Sequence, residues 1–359
     1  MAQLTAAPPT TMRALVLEDY GHLSVAELPT PEAGPGEVLL RIHATGICGS
    51  DLHGYTGENG RRRPGQVMGH ETVGTVVGLG PGARGGEAGL GDLVTVNPGL
   101  ACGQCPACHA GRGHICRSRR VIGVDPDLTS AFADYLAVPA SNVVPFTSGS
   151  SGASRVTHGA LVEPLAVGYH AAVRGEVREG ADVLVLGGGP IGQAAVLACR
   201  RLGAGRIRVS EPLESRRLLV AGLGAQVLDP AAGDVAEQVQ AGGPAEVTLD
   251  AVGSSATIAT ALNATQPGGR CVLVGMAAPD VRLDAFAVST QERTLVGAFC
   301  YSPAEFAATA RWAGEVPDLL ASLISLRVTP EEAPAAFSDL ARGHDVAGKV
   351  LVVFDPVHA

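Results

Sequence analysis

The sequence predicts a two-part chain: an all-β barrel or sandwich in its first third, then an α/β domain built on a doubly wound parallel sheet. Three observations carry this. The chain has 359 residues, more than a single core usually takes. Its first third reads as short strand-like runs broken by Gly and Pro. After a Gly/Ser segment, Ser148–Ser154, short apolar runs alternate with Ala/Leu-rich helical stretches.

In the first part, Met12–Leu17, Glu37–Ile42, Thr72–Val77 and Leu93–Val96 are the strand-like runs, following a loose Ala/Pro/Thr-rich tail. In the second, Asp182–Leu186 is a strand, Ile191–Leu202 a helix, Arg206–Ser210 a strand and Leu213–Leu223 a helix. Val227–Leu228, Val247–Asp250, Cys271–Val274 and Leu295–Ala298 continue the rhythm, which implies βαβ units with helices on both faces. From about Pro303 the chain is helical and ends in an apolar strand, Val350–Phe354.

About half the residues are apolar, enough for sizeable cores. A net charge of −9 with no long basic block excludes a nucleic-acid partner. The short clusters Arg61-Arg62-Arg63 and Arg119-Arg120 read as solvated loops. Neither a signal peptide nor a membrane span is visible, so the expected compartment is the cytoplasm. Thiols stay reduced there, and clustered cysteines point to metal rather than disulfides.

Gly187-Gly188-Gly189-Pro190-Ile191-Gly192 is a G-x-G-x-x-G run. In a chain with 48 glycines the pattern alone is weak, but here it follows an apolar strand and opens a helix. Gly187 allows the tight turn, Gly189 a close approach to a pyrophosphate, and Gly192 close helix–strand packing. The helix N-terminus, from Pro190 and Ile191, presents free N–H groups to phosphate. Glu211, at the end of the next strand, suits the ribose hydroxyls and repels a 2′-phosphate, which favours NAD over NADP. Arg216 and Arg217 are the counter-evidence, with packing beside the adenine or facing solvent as their other role.

Cys102, Cys105, Cys108 and Cys116 form C-x₂-C-x₂-C-x₇-C. Four thiolates at this spacing can close a tetrahedron around one Zn²⁺, which leaves no open position and makes that zinc structural. An Fe–S cluster and reactive thiols are the alternatives. Cys199, Cys271 and Cys300 read as core residues on a helix or apolar strands. A second constellation lies in Ile47-Cys48-Gly49-Ser50-Asp51-Leu52-His53 and Gly69-His70-Glu71. One thiol, one imidazole and two acids in turn-rich segments suit a catalytic zinc with an open position. Spacing alone does not bring Cys48 to His70.

These motifs, with Leu161-Val162-Glu163-Pro164-Leu165-Ala166-Val167, occur together and in order. The chain resembles the zinc-containing medium-chain dehydrogenases/reductases, and within them the polyol group of sorbitol, butanediol and threonine dehydrogenases. The resemblance covers Met12 to Phe354. It implies a GroES-like β-barrel catalytic domain over 1–164, a Rossmann domain over 165–302, and a return to the catalytic domain over 303–359. It implies Cys48 and His70 as catalytic zinc ligands, with Glu71 as a ligand or exchanging with water. Glu163 falls where the polyol group places a glutamate ligand. Asp51 would orient His70, and Ser50 and His53 match proton-relay positions. The implied activity is hydride transfer between NAD and a secondary alcohol or ketone, plausibly a polyol, by a homo-dimer or homo-tetramer. Tyr55, Phe132, Phe299 and Tyr301 are pocket candidates by position in the family, and each suits a core aromatic equally well. The alternatives are an amino-alcohol or aminocyclitol dehydrogenase, a zinc-free double-bond reductase, and a non-enzymatic NAD(H)-binding sensor. One departure from the family is the long Gly/Ser-rich segment Phe146–His158, where a short helix is expected to be lacking.

Overall fold

The computed structural model describes residues 7–58, 60–83, 88–147, 156–344 and 346–354. The segment Ser148–Ser154 and the start of the N-terminal tail therefore lie outside the described residues. The chain divides into two compact units, Met1–Glu163 with Ser302–Ala359, and Pro164–Tyr301.

The first unit opens with β1 (Thr11–Asp19), β2 (His22–Pro29) and β3 (Glu37–Gly46). A short helix α1 (Gly49–Thr56) leads to β4 (Gln66–Val67), β5 (Glu71–Leu79), β6 (Leu93–Val96) and β7 (Gly99–Leu100). After α2 (Pro106–His109) come β8 (Arg120–Val121), β9 (Tyr135–Pro139) and β10 (Val143–Pro145). A 3-10 turn, Thr157–Leu161, precedes the next helix.

The second unit is carried by α3 (Val162–Arg174), whose first two residues belong to the first unit, β11 (Asp182–Leu186), α4 (Pro190–Arg201), β12 (Arg206–Ser210), α5 (Glu214–Gly222) and β13 (Gln226–Leu228). It continues through α6 (Val235–Ala241), β14 (Ala245–Asp250), α7 (Ser255–Ala264), β15 (Thr265–Leu273), α8 (Ala285–Ser289) and β16 (Thr294–Gly297). Its strands run parallel in the order β13-β12-β11-β14-β15-β16. The order reverses direction at β11/β14, the switch point where open α/β sheets bind ligands. Val183–Leu186 is an uninterrupted apolar run because this strand is buried on both faces.

The chain then returns to the first unit with α9 (Pro303–Glu315), α10 (Pro317–Ser322), β17 (Ile324–Val328), α11 (Ala333–Ala341) and β18 (Lys349–Val353). Its large sheet has the order β10-β6-β5-β3-β18-β17, with β9 also paired to β3. The last strand thus sits beside β3, antiparallel, with Leu351 opposite Gly46. One core joins both ends of the sequence: Leu15, Leu40, Phe132, Phe337 and Val352 are buried in the same cluster.

Three sequence readings change. Arg62, read as part of a solvated loop, is the largest fully buried side chain among the described residues, at 1% exposure. Tyr55 and Phe132, read as pocket candidates, are core aromatics packed on Phe337 at 5.7 and 5.6 Å between ring centroids. Cys300 lies outside any strand, half-buried at a positive φ of 51°. Phe299 is 38% exposed, whereas Tyr301 is buried.

Candidate active site

Cys48 caps α1, where its backbone N–H donates to Asp51 Oδ2 at 3.2 Å. His70 and Glu71 arrive on the turn into β5. Gly69 makes that turn possible at φ 97°, with Phe132 so close that a Cβ would lie 2.8 Å from its backbone nitrogen. Gly46 stands opposite Glu71 on the neighbouring strand. A Cβ there would fall 2.3 Å from Glu71 Oε2, so this glycine leaves the space the carboxylate occupies. Ligand atoms of Cys48, His70 and Glu71 lie within 4.8 Å of one another. The structure therefore brings together three residues that spacing left apart.

Around them the charges are arranged in pairs. Asp51, fully buried, accepts from Arg62 Nη2 at 3.1 Å and faces His70 Nδ1 at 3.5 Å. The latter approach makes no hydrogen bond, so the link is electrostatic. Burial pushes the Asp51 carboxyl up, but His70, Arg62 and the Cys48 N–H together hold it below the usual range. Burial also opposes charge on His70, yet Asp51 and Cys48 raise it well above an ordinary histidine. Lys349, from the start of β18, donates to Glu71 Oε1 at 2.5 Å and to the Ile47 carbonyl at 3.1 Å. Its burial is offset by Glu71, Cys48 and Glu163, which together hold it above the ordinary lysine range. Glu163, in the first turn of α3, is buried.

The donor set fits a divalent cation. Glu71 Oε2 is buried without a hydrogen-bond partner. The Cys48 thiol, the His70 imidazole and the Glu71 carboxylate are the S, N and O donors a zinc ion takes.

Ser50 and His53 both lie on α1. Ser50 Oγ accepts from Arg62 Nη2 at 3.3 Å. His53 stands toward solvent, 44% exposed, with Nδ1 2.8 Å from Glu58 Oε2.

The cysteine lobe hangs on the two-stranded ladder of β7 and β8. Cys102, Cys105, Cys108 and Cys116 offer four sulfurs within 4.8 Å of one another, and all four thiols are free. Cys105 to Cys108 is 3.5 Å and Cys102 to Cys108 is 3.9 Å. A ZnS₄ tetrahedron with bonds of ~2.3 Å has S···S edges of about 3.8 Å. The N–H groups of Gln104 and Cys105 draw the Cys102 thiol down to about 6, which favours the thiolate a metal needs.

In the second unit the glycine run forms the turn from β11 into α4. Gly187 takes φ 93°, and a Cβ on Gly192 would lie 1.9 Å from the Gly187 carbonyl. Only glycine allows the helix to start this close to the turn. Gly189 is the N-cap and Pro190 occupies the first turn. Glu211 is buried beside the turn: Oε2 accepts from Gly188 N at 2.7 Å and Oε1 from Leu213 N at 2.9 Å. Each oxygen keeps a second lone pair for a hydroxyl. Arg217 is used structurally, donating to the Glu211 and Pro212 carbonyls and pairing with Asp229. Arg216 stands near the turn, with Nη1 3.6 Å from where a Gly189 Cβ would be.

Two residues of the centre were not anticipated from the sequence, Arg62 and Lys349. Lys349 carried a signal: it is the only lysine among 26 Lys and Arg residues, and it heads an apolar run. Arg62 carried none that distinguishes it from Arg61 and Arg63.

The family models described as "Alcohol dehydrogenase GroES-like domain" and "Zinc-binding dehydrogenase" match residues 34–148 and 190–315. The chain is 37% identical over 273 residues to L-threonine 3-dehydrogenase of Pyrococcus furiosus, covering 74% of this chain and 76% of that one. It is 34% identical over 310 residues to L-galactonate-5-dehydrogenase of Escherichia coli, covering 85% and 88%. The crystal structure of galactitol-1-phosphate dehydrogenase from Escherichia coli superposes with a TM-score of 0.87 at 28% identity, over 96% of this chain and 100% of that one.

Proposed function

The chain belongs to the zinc-containing medium-chain alcohol dehydrogenases, and on that premise we propose that it oxidises a secondary alcohol of the polyol class with NAD as hydride acceptor. The observation that carries this is the Cys48–His70–Glu71 cluster, with donor atoms within 4.8 Å and Glu71 Oε2 buried without a hydrogen-bond partner. Cys48, His70 and one or both of Glu71 and Glu163 would hold the catalytic zinc, and the four lobe cysteines a structural one. Zinc, when bound, acts as a Lewis acid that lowers the pKa of a hydroxyl, and NAD takes up the hydride.

The protein's own groups do the rest. Asp51 biases the His70 ring so that Nε2, not Nδ1, faces the ligand cluster. Lys349 holds one oxygen of Glu71 and leaves the other toward the cluster. Ser50 Oγ takes the substrate proton, and His53, at the solvent end of the same helix, passes it on. Glu211 would accept from the ribose hydroxyls of NAD, and the turn Gly187–Gly192, with its helix N-terminus, would hold the pyrophosphate.

We further place the protein in the cytoplasm as a homo-oligomer. Its free thiols support a reducing compartment, and no helix among the described residues is long and apolar enough to cross a membrane. Identity to an L-threonine 3-dehydrogenase puts amino alcohols in second place as substrates. The test is a panel of secondary alcohols, polyols, amino alcohols and L-threonine read by NADH absorbance, with zinc content measured in parallel. Turnover with two zincs per chain supports the proposal. NAD binding without turnover of any panel member would point to a sensor, and turnover of amino alcohols alone to the second class.

A further inference from the structure

We propose that Arg62 is a positioning residue of the reaction centre, aiming the Ser50 hydroxyl and fixing Asp51 through one amino group, Nη2, that donates to both. The inference rests on the proton-transfer role of Ser50 given above.

Arg62 Nη2 is 3.1 Å from Asp51 Oδ1 and 3.3 Å from Ser50 Oγ. The side chain is 1% exposed and its partner Asp51 is fully buried. The fold makes room for it: a Cβ on Gly54, in α1, would lie 2.5 Å from Arg62 Cγ. The Arg62 carbonyl is itself anchored, accepting from Tyr20 Oη at 3.0 Å. Arg61 and Arg63, on either side, are exposed.

Stability alone does not account for this placement. A buried ion pair recovers little more than its own desolvation cost, and here Arg62 Nε is left buried without a partner. What the arrangement supplies is direction. Guanidinium only donates, whereas a serine hydroxyl carries one proton and two lone pairs. Arg62 therefore occupies a lone pair of Ser50 Oγ, and the Oγ–H must point elsewhere. Among the described residues it has no acceptor, so it is free to hand its proton on. As the substrate O–H bond breaks, a new O–H bond forms at Ser50 Oγ while the original one breaks and its proton passes on toward His53 and solvent, leaving serine neutral. A cation beside Oγ disfavours any positively charged serine intermediate, so release and uptake are coupled.

The test uses the zinc-loaded enzyme with Arg62→Lys, Ser50→Ala and the double variant. Lysine keeps a charge for Asp51 but lacks the planar fork that reaches two acceptors in fixed geometry. Arg62→Lys is expected to retain two zincs and a parental rate of zinc loss to a chelator. Its kcat should fall on the order of 10-fold with KM unchanged, and its solvent deuterium isotope effect should rise. In the Ser50→Ala background the same substitution should cost almost nothing, because the group it aims is gone. Parental kcat and isotope effect in Arg62→Lys would overturn the proposal. So would additive losses in the double variant, or a rate loss that tracks zinc loss. Arg62→Met, read by zinc content alone, reports whether Asp51 needs the cation. Parental zinc retention there overturns the Asp51 half. The parent's turnover on the alcohol panel tests the underlying reading separately, since these ratios are taken against the parent.

Discussion

The cysteine lobe and the Cys48 centre suit the same metal and are built in opposite ways. The lobe takes its four ligands from one loop, Cys102 to Cys116, on a two-stranded ladder of its own. Its ligands range from exposed to buried. The Cys48 centre draws on α1, the start of β5, the first turn of α3 and the first residue of the last strand, and its supporting charges are buried. Four thiolates close a shell. One thiolate, one imidazole and a carboxylate held by Lys349 do not. A contiguous motif thus yields a fastener, and an assembled one yields a site that can react.

The sharpest way to break this comparison is to exchange one ligand at each centre. Cys48→Ser should keep the fold and lobe zinc while lowering turnover on the order of 10³-fold, since Lewis-acid stabilisation is worth several kcal/mol. Zinc content, melting temperature and kcat measure this, and parental turnover would remove Cys48 from the chemistry. Lys349→Met should leave Glu71 as an uncompensated buried charge, a loss of about 3–5 kcal/mol for a buried pair. Zinc can take over that charge, so the fall in Tm should be larger in chelator than in zinc-loaded protein. Equal falls in both states would show that Lys349 does not serve the metal site.

Cys105→Ser should act on stability, because structural zinc contributes folding free energy. A loss of even 2 kcal/mol lowers Tm by about 4–8 °C in a domain of this size. An unchanged Tm with one zinc missing would make the lobe dispensable. In the second unit, Glu211 beside the glycine turn predicts a preference for NAD over NADP on the order of 10²-fold in kcat/KM, from like-charge repulsion. Equal or greater kcat/KM with NADP would implicate Arg216 or Arg217 as phosphate ligands. The smallest effect belongs to His53→Gln. It should slow oxidation by ~10-fold, since water partly substitutes for an exposed acid–base group. Added buffer base should shrink the deficit, while zinc content stays parental. A variant at parental rate would leave Ser50 to deliver its proton to water.

Some of this was legible in the residues alone, for local reasons. The lobe needs only a loop that turns back on itself, so its spacing encodes it. The G-x-G-x-x-G turn is likewise local: strand, Gly187 at positive φ, and a helix starting against its own turn. The parallel sheet follows from apolar runs buried on both faces, and β11, β12 and β14 stand where such runs predict them. Periodicity misses what a third residue decides. Arg62 has the same neighbours in sequence as any surface arginine, yet Gly54 and Asp51 bury it. Tyr55 and Phe132 suit a pocket by position, yet Phe337 draws both into the core.

The sequence by itself determined the class of fold, the glycine turn with its acidic partner Glu211, and the presence of a four-thiolate metal lobe. Each depends on chain neighbours or on a hydrophobic pattern of short period. Only the tertiary structure decided that Gly46, lying between β5 and β18, leaves room for the Glu71 carboxylate. It alone brought Lys349, from the far end of the chain, to that carboxylate, and Arg62 to Asp51 and Ser50. The physical reason is that a buried charge is tolerable only beside its partner. Which partner it meets is set by strand order and by the cavity a glycine leaves, and neither is written in the spacing of residues along the chain.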